Sequence, residues 1–525
     1  MPVRIVGGGL AGCEAAWQAA SRGVPVVLYE MRPVRATAVH RTDRLAELVC
    51  SNSFRGDKLD NAVGLLKEEM RRLGSIVMRA AEASRVPAGA ALAVDRERFA
   101  ETITTALADH PLVTLSREEV TAIPSSTERE PVIIATGPLT SEALSQDLAR
   151  LVGGDHLYFY DAISPIVLAE TIDRSKVFRA SRWGRSLRSA KALRHDRTIK
   201  ESDASAQQGS DGGAQGFDVG AQGFDGVAQG FDGVAQGFDG VAQGFSPACS
   251  VDDGEGDYLN CPLTRDEYER FYDALMGAES ATVHDFDKER FFEGCLPIEV
   301  MAHRGRDTLR FGPMKPVGLV DPRTGREPYA AVQLRQDTLA GDHFSLVGFQ
   351  TQIKWGDQAR VLRLIPGLEQ AEFVRFGMVH RNTYVNGPTV LADTWQVRKH
   401  PTLFFAGQMS GVEGYVESAA SGLLAGLNAA ALSRGEPVST APRTTAIGAL
   451  AYYVSHANPA HYEPSNITFG IMPPLSPAPK GKRLRNLALS DRALRDLQAW
   501  IIRRAQQERP ADAARPELVE GRAPR

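Results

Sequence analysis

The sequence predicts an α/β fold in which both ends of the chain build one parallel sheet around an inserted second domain. Three observations predict it. The N-terminus runs strand, glycine-rich turn, helix and strand; apolar strands ending in glycine recur near residues 132 and 403; and the middle alternates short strands with helices. Hydrophobic strands that alternate with helices are typical of parallel sheets.

The predicted elements follow the order that such a sheet requires. A strand at 3–6, a helix at 11–22 and a strand at 25–29 form a βαβ opening. Further strands are predicted at 112–115, 132–135 and 403–406, with a strand of the middle region at 329–334. The strands at 132 and 403 each lead into a glycine turn, so we expect them to return to the first sheet.

Composition and length place the chain among globular proteins. Its 525 residues suffice for several domains of about 150 residues each. Hydrophobic residues make up 43% and charged residues 24%, which excludes a fibrous or wholly disordered protein. No stretch approaches the roughly 18 apolar residues that span a bilayer, and no signal peptide is visible. The sequence therefore predicts a cytoplasmic protein with no membrane association.

One internal repeat interrupts this pattern. The unit AQGF recurs with a period of seven, starting at Ala214, Ala221, Ala228, Ala235 and Ala242. Glycine-rich units with one bulky apolar residue form neither a coiled-coil seam nor a stable helix, so about 186–253 is predicted to be a disordered insertion, or alternatively a binding tail. Residues 201–257 hold eleven acidic and no basic residues, so with a net charge of −4 the rest carries +7, which is compatible with an RNA partner.

The glycine turn after the first strand predicts a dinucleotide site. Gly7, Gly9 and Gly12 form G-x-G-x-x-G, and Glu30 closes the second strand 18 residues after the last glycine. The glycines allow a tight turn, close approach of a pyrophosphate to a helix N-terminus and helix–strand contact, while the acidic residue binds ribose hydroxyls. The alternative is an ordinary βα turn. The predicted cofactor contacts also include Leu10, Ala11 and Arg32.

The C-terminal return favours FAD over NAD. A strand ends at Gly407 and a glycine-containing turn leads into a helix of small residues, whose N-terminus could face a flavin. The predicted contacts here are Gly137, Gly407, Gln408, Gly411 and Gly414. Together with the first glycine turn, these features predict a Rossmann-like FAD-binding domain of the glutathione-reductase type with an inserted α+β domain. Structural helix–sheet contacts alone could explain the features at Gly137 and in the C-terminal return. The predicted boundaries are 1–155 and 340–440 for the first domain, 156–339 for the second, 441–507 for a segment returning to the core and 508–525 for a disordered tail.

Several long motifs resemble one enzyme family over nearly the whole chain except the repeat insertion and the tails. They include GGGLAGCEAAWQAASRGVPVVLYEMRP, ELVCSNSFR, YLNCPLT, FFEGCLPIEVMAHRG, FQTQIKWGDQ and GQMSGVEGYVESAASG. They resemble the folate- and FAD-dependent tRNA uracil-5-methyltransferases. The resemblance implies bound FAD, methylenetetrahydrofolate as carbon donor, NADPH or NADH as reductant, and C5 of uridine 54 in the tRNA T arm as acceptor, with no protein partner.

Thiols suit this chemistry because uracil C5 becomes nucleophilic only after a nucleophile adds at C6, and a base must then remove the C5 proton. The resemblance implies that Cys261 attacks C6 and that Cys50 is the base. The alternative is that both are inert buried thiols. Cys13 is predicted to pack, Cys295 has no assigned role and Cys249 lies in the insertion. No CxxC pair occurs, so no metal site is predicted.

Three basic runs are candidate RNA contacts, at 32–35, 40–44 and 303–306, each alternatively a solvated face. Residues 335–336 and 380–382 are candidates for the flavin or folate pocket, and Trp355 either stacks on a ring or fills the core. Three rival functions remain. A related flavoenzyme modifies the wobble uridine but needs a long helical C-terminal domain, a general FAD oxidoreductase does not explain the cysteine motifs, and a flavin-containing RNA binder would lack catalysis.

Overall fold

A computed structural model describes residues 1–37, 39–152, 157–162, 164–184, 256–280, 296–377 and 379–507. For 157–162 and 379–383 it describes the backbone alone. The predicted insertion at about 186–253, the tail at 508–525, Cys249 and Cys295 lie outside the described residues.

The described elements alternate along the chain. The strands are β1 Val3–Val6, β2 Val26–Tyr29, β3 Ser53–Gly56, β4 Arg85–Val86, β5 Ala91–Val94, β6 Val113–Ser116, β7 Val132–Ile134, β8 Leu157–Ala162, β9 Ile166–Leu168, β10 Phe178–Ala180, β11 Tyr258–Leu263, β12 Ala330–Gln336, β13 His343–Leu346, β14 Phe373–Arg375, β15 Val379–Tyr384, β16 Gln396–Val397 and β17 His400–Phe405. The helices are α1 Leu10–Ala20, α2 Ala62–Arg72, α3 Ile76–Ala83, α4 Arg96–Ala108, α5 Glu142–Val152, α6 Arg265–Met276, α7 Ile298–His303, α8 Thr308–Phe311, α9 Trp355–Leu362, α10 Gly387–Val390, α11 Tyr415–Arg434, α12 Ala446–His456 and α13 Lys482–Gln507.

The first sheet contains strands from both ends of the chain, as predicted. Its order is β16-β17-β7-β1-β2-β6, and the five strands from β17 to β6 are parallel. The buried strands carry almost only apolar side chains because helices cover both faces of such a sheet. The predicted α/β fold, with a parallel sheet that combines strands from distant parts of the chain, is confirmed.

Helices α1 and α11 pack against each other at glycines and alanines. This contact joins the N-terminal βαβ unit to the C-terminal return of the chain. A Cβ on Gly422 would lie 2.1 Å from the carbonyl oxygen of Ala11, and one on Gly426 would lie 2.6 Å from that of Ala15. Only glycine permits backbones to approach so closely. The small-residue composition of α11 is therefore required by its packing against α1.

The second sheet has the order β10-β11-β12-β13-β9-β14, and all its pairings are antiparallel. Its core runs from Val167 to Ala371 and includes Phe344 on β13 and Val361 on α9. The predicted boundary at 339/340 is therefore too early, because β13, α9 and β14 belong to the second sheet and the first core resumes only at Val385. Strands β8 and β15 pair along the connections between the two sheets.

The segment after α11 packs on the first core. Helix α12 contributes Ile447 and Leu450, and α13 contributes Leu497 and Trp500, all buried. Among the described helices, none combines the length and apolar character needed to cross a membrane.

Candidate functional site

The glycine turn between β1 and α1 forms one wall of a large cleft. Gly7 has φ +109°, and a Cβ there would lie 2.5 Å from the carbonyl oxygen of Ala135 on the neighbouring strand. A Cβ on Gly12 would lie 1.8 Å from the carbonyl oxygen of Gly7, whereas one on Gly9 would meet nothing within 4 Å. Gly7 and Gly12 are thus required by the protein's own packing, and Gly9 faces open space.

Glu30 at the end of β2 closes this wall. Its carboxylate accepts hydrogen bonds from the backbone N–H of Gly8 at 3.0 Å and from Nε of Arg32 at 2.8 Å. Burial opposes ionisation of Glu30, but the hydrogen bonds and charge of Arg32 outweigh it and hold the pKa below its ordinary value. Arg32 also donates to Glu47. The Glu30 carboxylate therefore stays ionised at neutral pH.

Two helix N-termini meet in the same cleft. Helix α1 is capped by Gly9 and α11 by Gly414, and neither cap supplies a side-chain hydrogen bond to the helix. Backbone N–H groups at a helix N-terminus favour anions and electron-rich oxygens. The cleft encloses about 1030 Å³ including space open to solvent, and the predicted contacts that line it are Gly7, Gly9, Leu10, Ala11, Glu30, Arg32, Gly137, Gly407 and Gln408.

The remaining predicted contacts lie beside this cleft. Gly12 packs on the turn itself. Gly411 has φ +88°, and a Cβ there would lie 2.0 Å from Oη of Tyr462. Gly414 has φ +105° and lines a second cavity instead. Gly411 and Gly414 therefore require glycine mainly to shape the loop between β17 and α11.

The glycine cradle and the two helix N-termini fit a dinucleotide cofactor. The open space at Gly9 is where a pyrophosphate would approach the backbone, and the Glu30 carboxylate lies at the end of β2 where ribose hydroxyls bind in such folds. The N-terminus of α11 provides a second set of donors at the other end of the cleft.

A second cavity of about 1190 Å³, again partly open to solvent, adjoins the first. The two share Val49, Pro138, Gln408, Tyr415 and Ser418 as lining residues. The second also contains Cys50, Ser51 and Arg335 together with residues of the second sheet. Cys50 thus lies where the dinucleotide cleft opens between the two sheets.

Hydrogen bonds from both sides hold the backbone at Cys50. Oη of Tyr415, the first residue of α11, accepts from the N–H of Cys50 at 2.8 Å and from that of Ser51 at 3.1 Å. Arg96 donates to the carbonyl oxygen of Leu48 at 3.0 Å and to that of Cys50 at 3.4 Å, and it pairs with Asp337 at 3.0 Å. These contacts restrict where the thiol can point.

Asn52 and Arg335 join this segment to the second sheet. The buried Asn52 amide donates to the carbonyl oxygens of Val94 and Gln336, both at 3.0 Å, and its oxygen accepts from Nε of Arg335 at 2.7 Å. Arg335 also donates to Oγ of Ser51 at 2.8 Å. The polar residues of the ELVCSNS motif therefore fix the second domain against the first.

Three arginines place positive charge around Cys50. Arg96, Arg335 and Arg375 all interact electrostatically with its sulfur. Burial lowers the pKa of Arg335 below its ordinary value, with Arg96 adding to the effect. Burial, with the charges of Arg96 and Arg41, lowers the pKa of Arg375 to about 10. Each stays charged at neutral pH, so the sulfur of Cys50 lies in positively charged surroundings.

Cys261 lies elsewhere. It is in β11, where its side chain is fully buried in the core of the second sheet with Leu259 and Leu263. Burial raises the pKa of the Cys261 thiol, with a smaller contribution from Glu369. The structure does not bring Cys261 to the cavity that holds Cys50, so this position counts against its predicted role as nucleophile.

The other residues that the sequence singled out lie in different parts of the structure. Cys13 packs in the first core as predicted, and its S–H donates to the carbonyl oxygen of Gly8 at 3.2 Å. Arg335 lines the Cys50 cavity, while the side chains of 380–382 are outside the described part of the chain. Trp355 is exposed rather than buried. Arg96 and Tyr415 were not predicted from the sequence, although Tyr415 directly follows Gly414, a predicted cofactor contact.

Comparison with known proteins identifies the chain. The family model GIDA, glucose inhibited division protein A, matches residues 2–207 and 245–437 and leaves 208–244 unmatched. The methylenetetrahydrofolate--tRNA-(uracil-5-)-methyltransferase TrmFO of Desulforudis audaxviator is 52% identical over 96% of this chain and 99% of its own length. That of Enterococcus faecalis is 49% identical over 95% and 98%. The chain belongs to the TrmFO family.

Solved structures agree on the fold of this TrmFO-family chain. GidA of Aquifex aeolicus in its form I crystal matches with a TM-score of 0.62 and 18% identity, over 97% of this chain and 76% of that one. The form II crystal gives a TM-score of 0.61. At this identity the likeness concerns the fold alone. The predicted resemblance is confirmed by the relatives at about half identity rather than by these structures.

Proposed function

We propose that this protein transfers a one-carbon unit from methylenetetrahydrofolate to C5 of uridine 54 in the T loop of tRNA, with FAD bound and NADPH or NADH as reductant. Its membership of the TrmFO family supports folate-dependent methylation of tRNA uracil at C5. One observation carries the proposal beyond family membership, namely that a thiol surrounded by arginines lies where the dinucleotide cleft opens between the sheets.

FAD would lie along the cleft from Glu30 to the N-terminus of α11. Backbone N–H groups at the start of α1 would hold its pyrophosphate, and Glu30 would bind its ribose. When bound, the flavin supplies the reducing equivalents that convert a methylene group to a methyl group. The chain's own contribution is to orient the flavin toward the cavity that contains Cys50.

Gly9→Val tests the cofactor site. A valine there has room in the protein itself but would fill the space that a pyrophosphate needs. We expect a folded, colourless protein, checked by circular dichroism and flavin absorbance. Gly12→Val is the contrasting variant, because its side chain would collide with the carbonyl of Gly7 and destabilise the fold itself. Full flavin absorbance in Gly9→Val would refute the assignment.

Cys50 is proposed as the base that takes the C5 proton. The Cys50 thiol lies among the charges of Arg96, Arg335 and Arg375, and Tyr415 and Arg96 hold the backbone of Cys50 in place. A base positioned within reach of the proton typically accelerates such a step by about 10² to 10⁴. The resemblance implies attack at C6 by Cys261, but burial of this thiol in the second core disfavours that role, and we therefore expect that Cys261 does not attack.

Covalent trapping tests both roles. A T-loop RNA carrying 5-fluorouridine forms an adduct that cannot lose the C5 substituent, so the adduct reports attack at C6 alone. We expect Cys50→Ala to form the adduct without turnover. Because Cys261 is buried away from the cavity, we expect Cys261→Ala to form the adduct at the wild-type level, in which case a group other than these two thiols attacks C6. Loss of the adduct in Cys261→Ala would restore that cysteine as nucleophile, and a Cys295→Ala variant tests the remaining thiol of the family motifs.

Methyl transfer tests the whole proposal and its rivals. Methylation of a T-loop transcript should require methylenetetrahydrofolate and should proceed faster with one of NADPH and NADH. A transcript in which uridine 54 is replaced by cytidine is the matched control and should stay unmethylated. Modification of a wobble uridine instead, or flavin oxidation without methyl transfer, would refute the proposal.

A further inference from the structure

The exposed Trp355 begins a column of three nearly parallel rings. Its ring lies 6.3 Å from that of Phe376 with an interplanar angle of 21°, and Phe376 lies 5.2 Å from Phe373 at 23°. Phe373 packs against the core of the second sheet, whereas Trp355 is 61% exposed. We call Trp355, Phe376 and Phe373 the aromatic stack. It runs from the core to solvent and leaves the outer part of an indole uncovered.

Beside the stack lies a basic cleft of about 720 Å³, partly open to solvent. Its basic lining residues are Arg41, Arg44, Arg96, His343 and Arg375. Arg375 is the chain neighbour of Phe376, and Arg41 donates to the carbonyl oxygen of Val374 at 3.2 Å. The aromatic stack and the basic cleft therefore meet at strand β14.

The carboxylates that line this cleft are already paired with arginines of the protein. Glu47 accepts from Arg32 at 3.1 Å, Asp337 pairs with Arg96 at 3.0 Å, and Glu97 lies 3.9 Å from Arg44. Among the described residues, neither Arg41 nor Arg375 forms an ion pair, and the Arg375 guanidinium forms no hydrogen bond. Two cations thus remain available for an anion from outside the protein.

We propose that the aromatic stack and the basic cleft form a docking surface for single-stranded RNA, with an unpaired base on Trp355 and an adjacent phosphate on Arg41 and Arg375. Unpaired bases expose a face that stacks on aromatic rings, and arginine binds the phosphates between them. Arg375 also interacts electrostatically with Cys50, so the surface leads toward the thiol. The inference rests on the proposed function, because the RNA is the loop that carries the target uridine.

Binding of a T-arm hairpin, measured at several salt concentrations without folate, tests the surface. Trp355→Ala should weaken binding roughly tenfold with an unchanged salt slope, because stacking involves no charge. Trp355→Phe should restore most of the affinity. Arg375→Gln should weaken binding and reduce the slope of log K against log salt by about 0.7, the value for one phosphate of a single strand.

Phe311→Ala is the matched control, since Phe311 is 80% exposed in the second domain outside the aromatic stack and the basic cleft. It should bind RNA as the wild type does. Flavin absorbance and thermal unfolding should be unchanged in Trp355→Ala and Phe311→Ala, which excludes general misfolding.

Three outcomes would overturn the surface. The first is that Trp355→Ala binds the hairpin with wild-type affinity. The second is that Phe311→Ala weakens binding as much as Trp355→Ala does. The third is that Trp355→Ala changes the oligomeric state without changing RNA affinity, which would make the aromatic stack a contact between copies of this chain. If the wild type methylates the hairpin while Trp355→Ala binds it normally, the surface alone is refuted. If the wild type neither binds nor methylates it, the proposed function fails as well.

Discussion

Cys50 and Cys261 occupy opposite environments although their sequence surroundings look alike. Each adjoins a small polar residue, a serine after Cys50 in ELVCSNS and an asparagine before Cys261 in YLNCP. Cys50 lies in a cavity between the sheets with three arginines around it, and Cys261 is fully buried among apolar side chains. The difference teaches that the reactivity of a thiol depends on what the fold places around it, not on polar neighbours along the chain.

The largest expected effect is on turnover. Cys50→Ala should lower kcat for methyl transfer by at least about 100-fold, since it removes the proposed base. Cys261→Ala should keep kcat within about threefold and lower the free energy of unfolding by about 1 kcal/mol through lost packing. Steady-state methylation assays measure kcat, and urea unfolding measures the free energy of unfolding. Equal losses of kcat would contradict the contrast between the two sites.

Alkylation should separate the two thiols directly. Iodoacetamide reacts with thiolates, and burial both shields Cys261 and raises its pKa. We expect Cys50 to be modified at least about tenfold faster than Cys261 from pH 7 to 9, with mass spectrometry of peptides as the readout. Bound FAD should be retained throughout. Rapid labelling of Cys261 in folded protein would show that β11 opens readily.

Tyr415→Phe should lower kcat roughly tenfold, because the N–H groups of Cys50 and Ser51 lose their acceptor and the thiol is less well positioned. The rate of Cys50 alkylation at a fixed pH should change with it, because the position of the thiol in the cavity changes. Tyr272→Phe is the control. Its hydroxyl donates to the carbonyl of Ala302 at 2.9 Å inside the second core, so its loss should cost stability but leave kcat unchanged.

The smallest effect is expected from the repeat. The family model leaves 208–244 unmatched, and this stretch contains four complete AQGF units. Replacing residues 202–251 with a short glycine–serine linker should leave flavin content and activity unchanged. It should lower the KM for tRNA by less than about threefold, with the largest change at low salt, because the carboxylates of the removed segment no longer compete with RNA phosphates. Binding should also depend more steeply on salt. Aggregation or flavin loss would show instead that the segment is structural.

Local patterns predicted the parallel sheet and the dinucleotide cleft well. The strands at β1, β2, β6, β7 and β17 lie within a few residues of their predicted bounds. The opening with β1 and β2 was predictable because the glycine turn, the helix and Glu30 all fall within 30 residues, where spacing alone fixes their geometry.

The Cys50 site could not be predicted in the same way. Tyr415 is separated from Cys50 by 365 residues of chain, and Arg335 from Asn52 by 283. The burial of Cys261 depends on which face of β11 meets the second core. The extension of the second domain to β14 likewise depends on strand pairing, which short apolar runs do not specify.

The crossing of α1 and α11 has a consequence for synthesis on the ribosome. The glycine turn emerges early, but α11, which completes the cleft, ends at Arg434. At about 5 to 20 residues per second, the first βαβ unit waits for tens of seconds before its partner helix is made. Until then the backbone of α1 that Gly422 and Gly426 will cover is exposed. The cleft that would hold the cofactor is therefore completed only after α11 has been made.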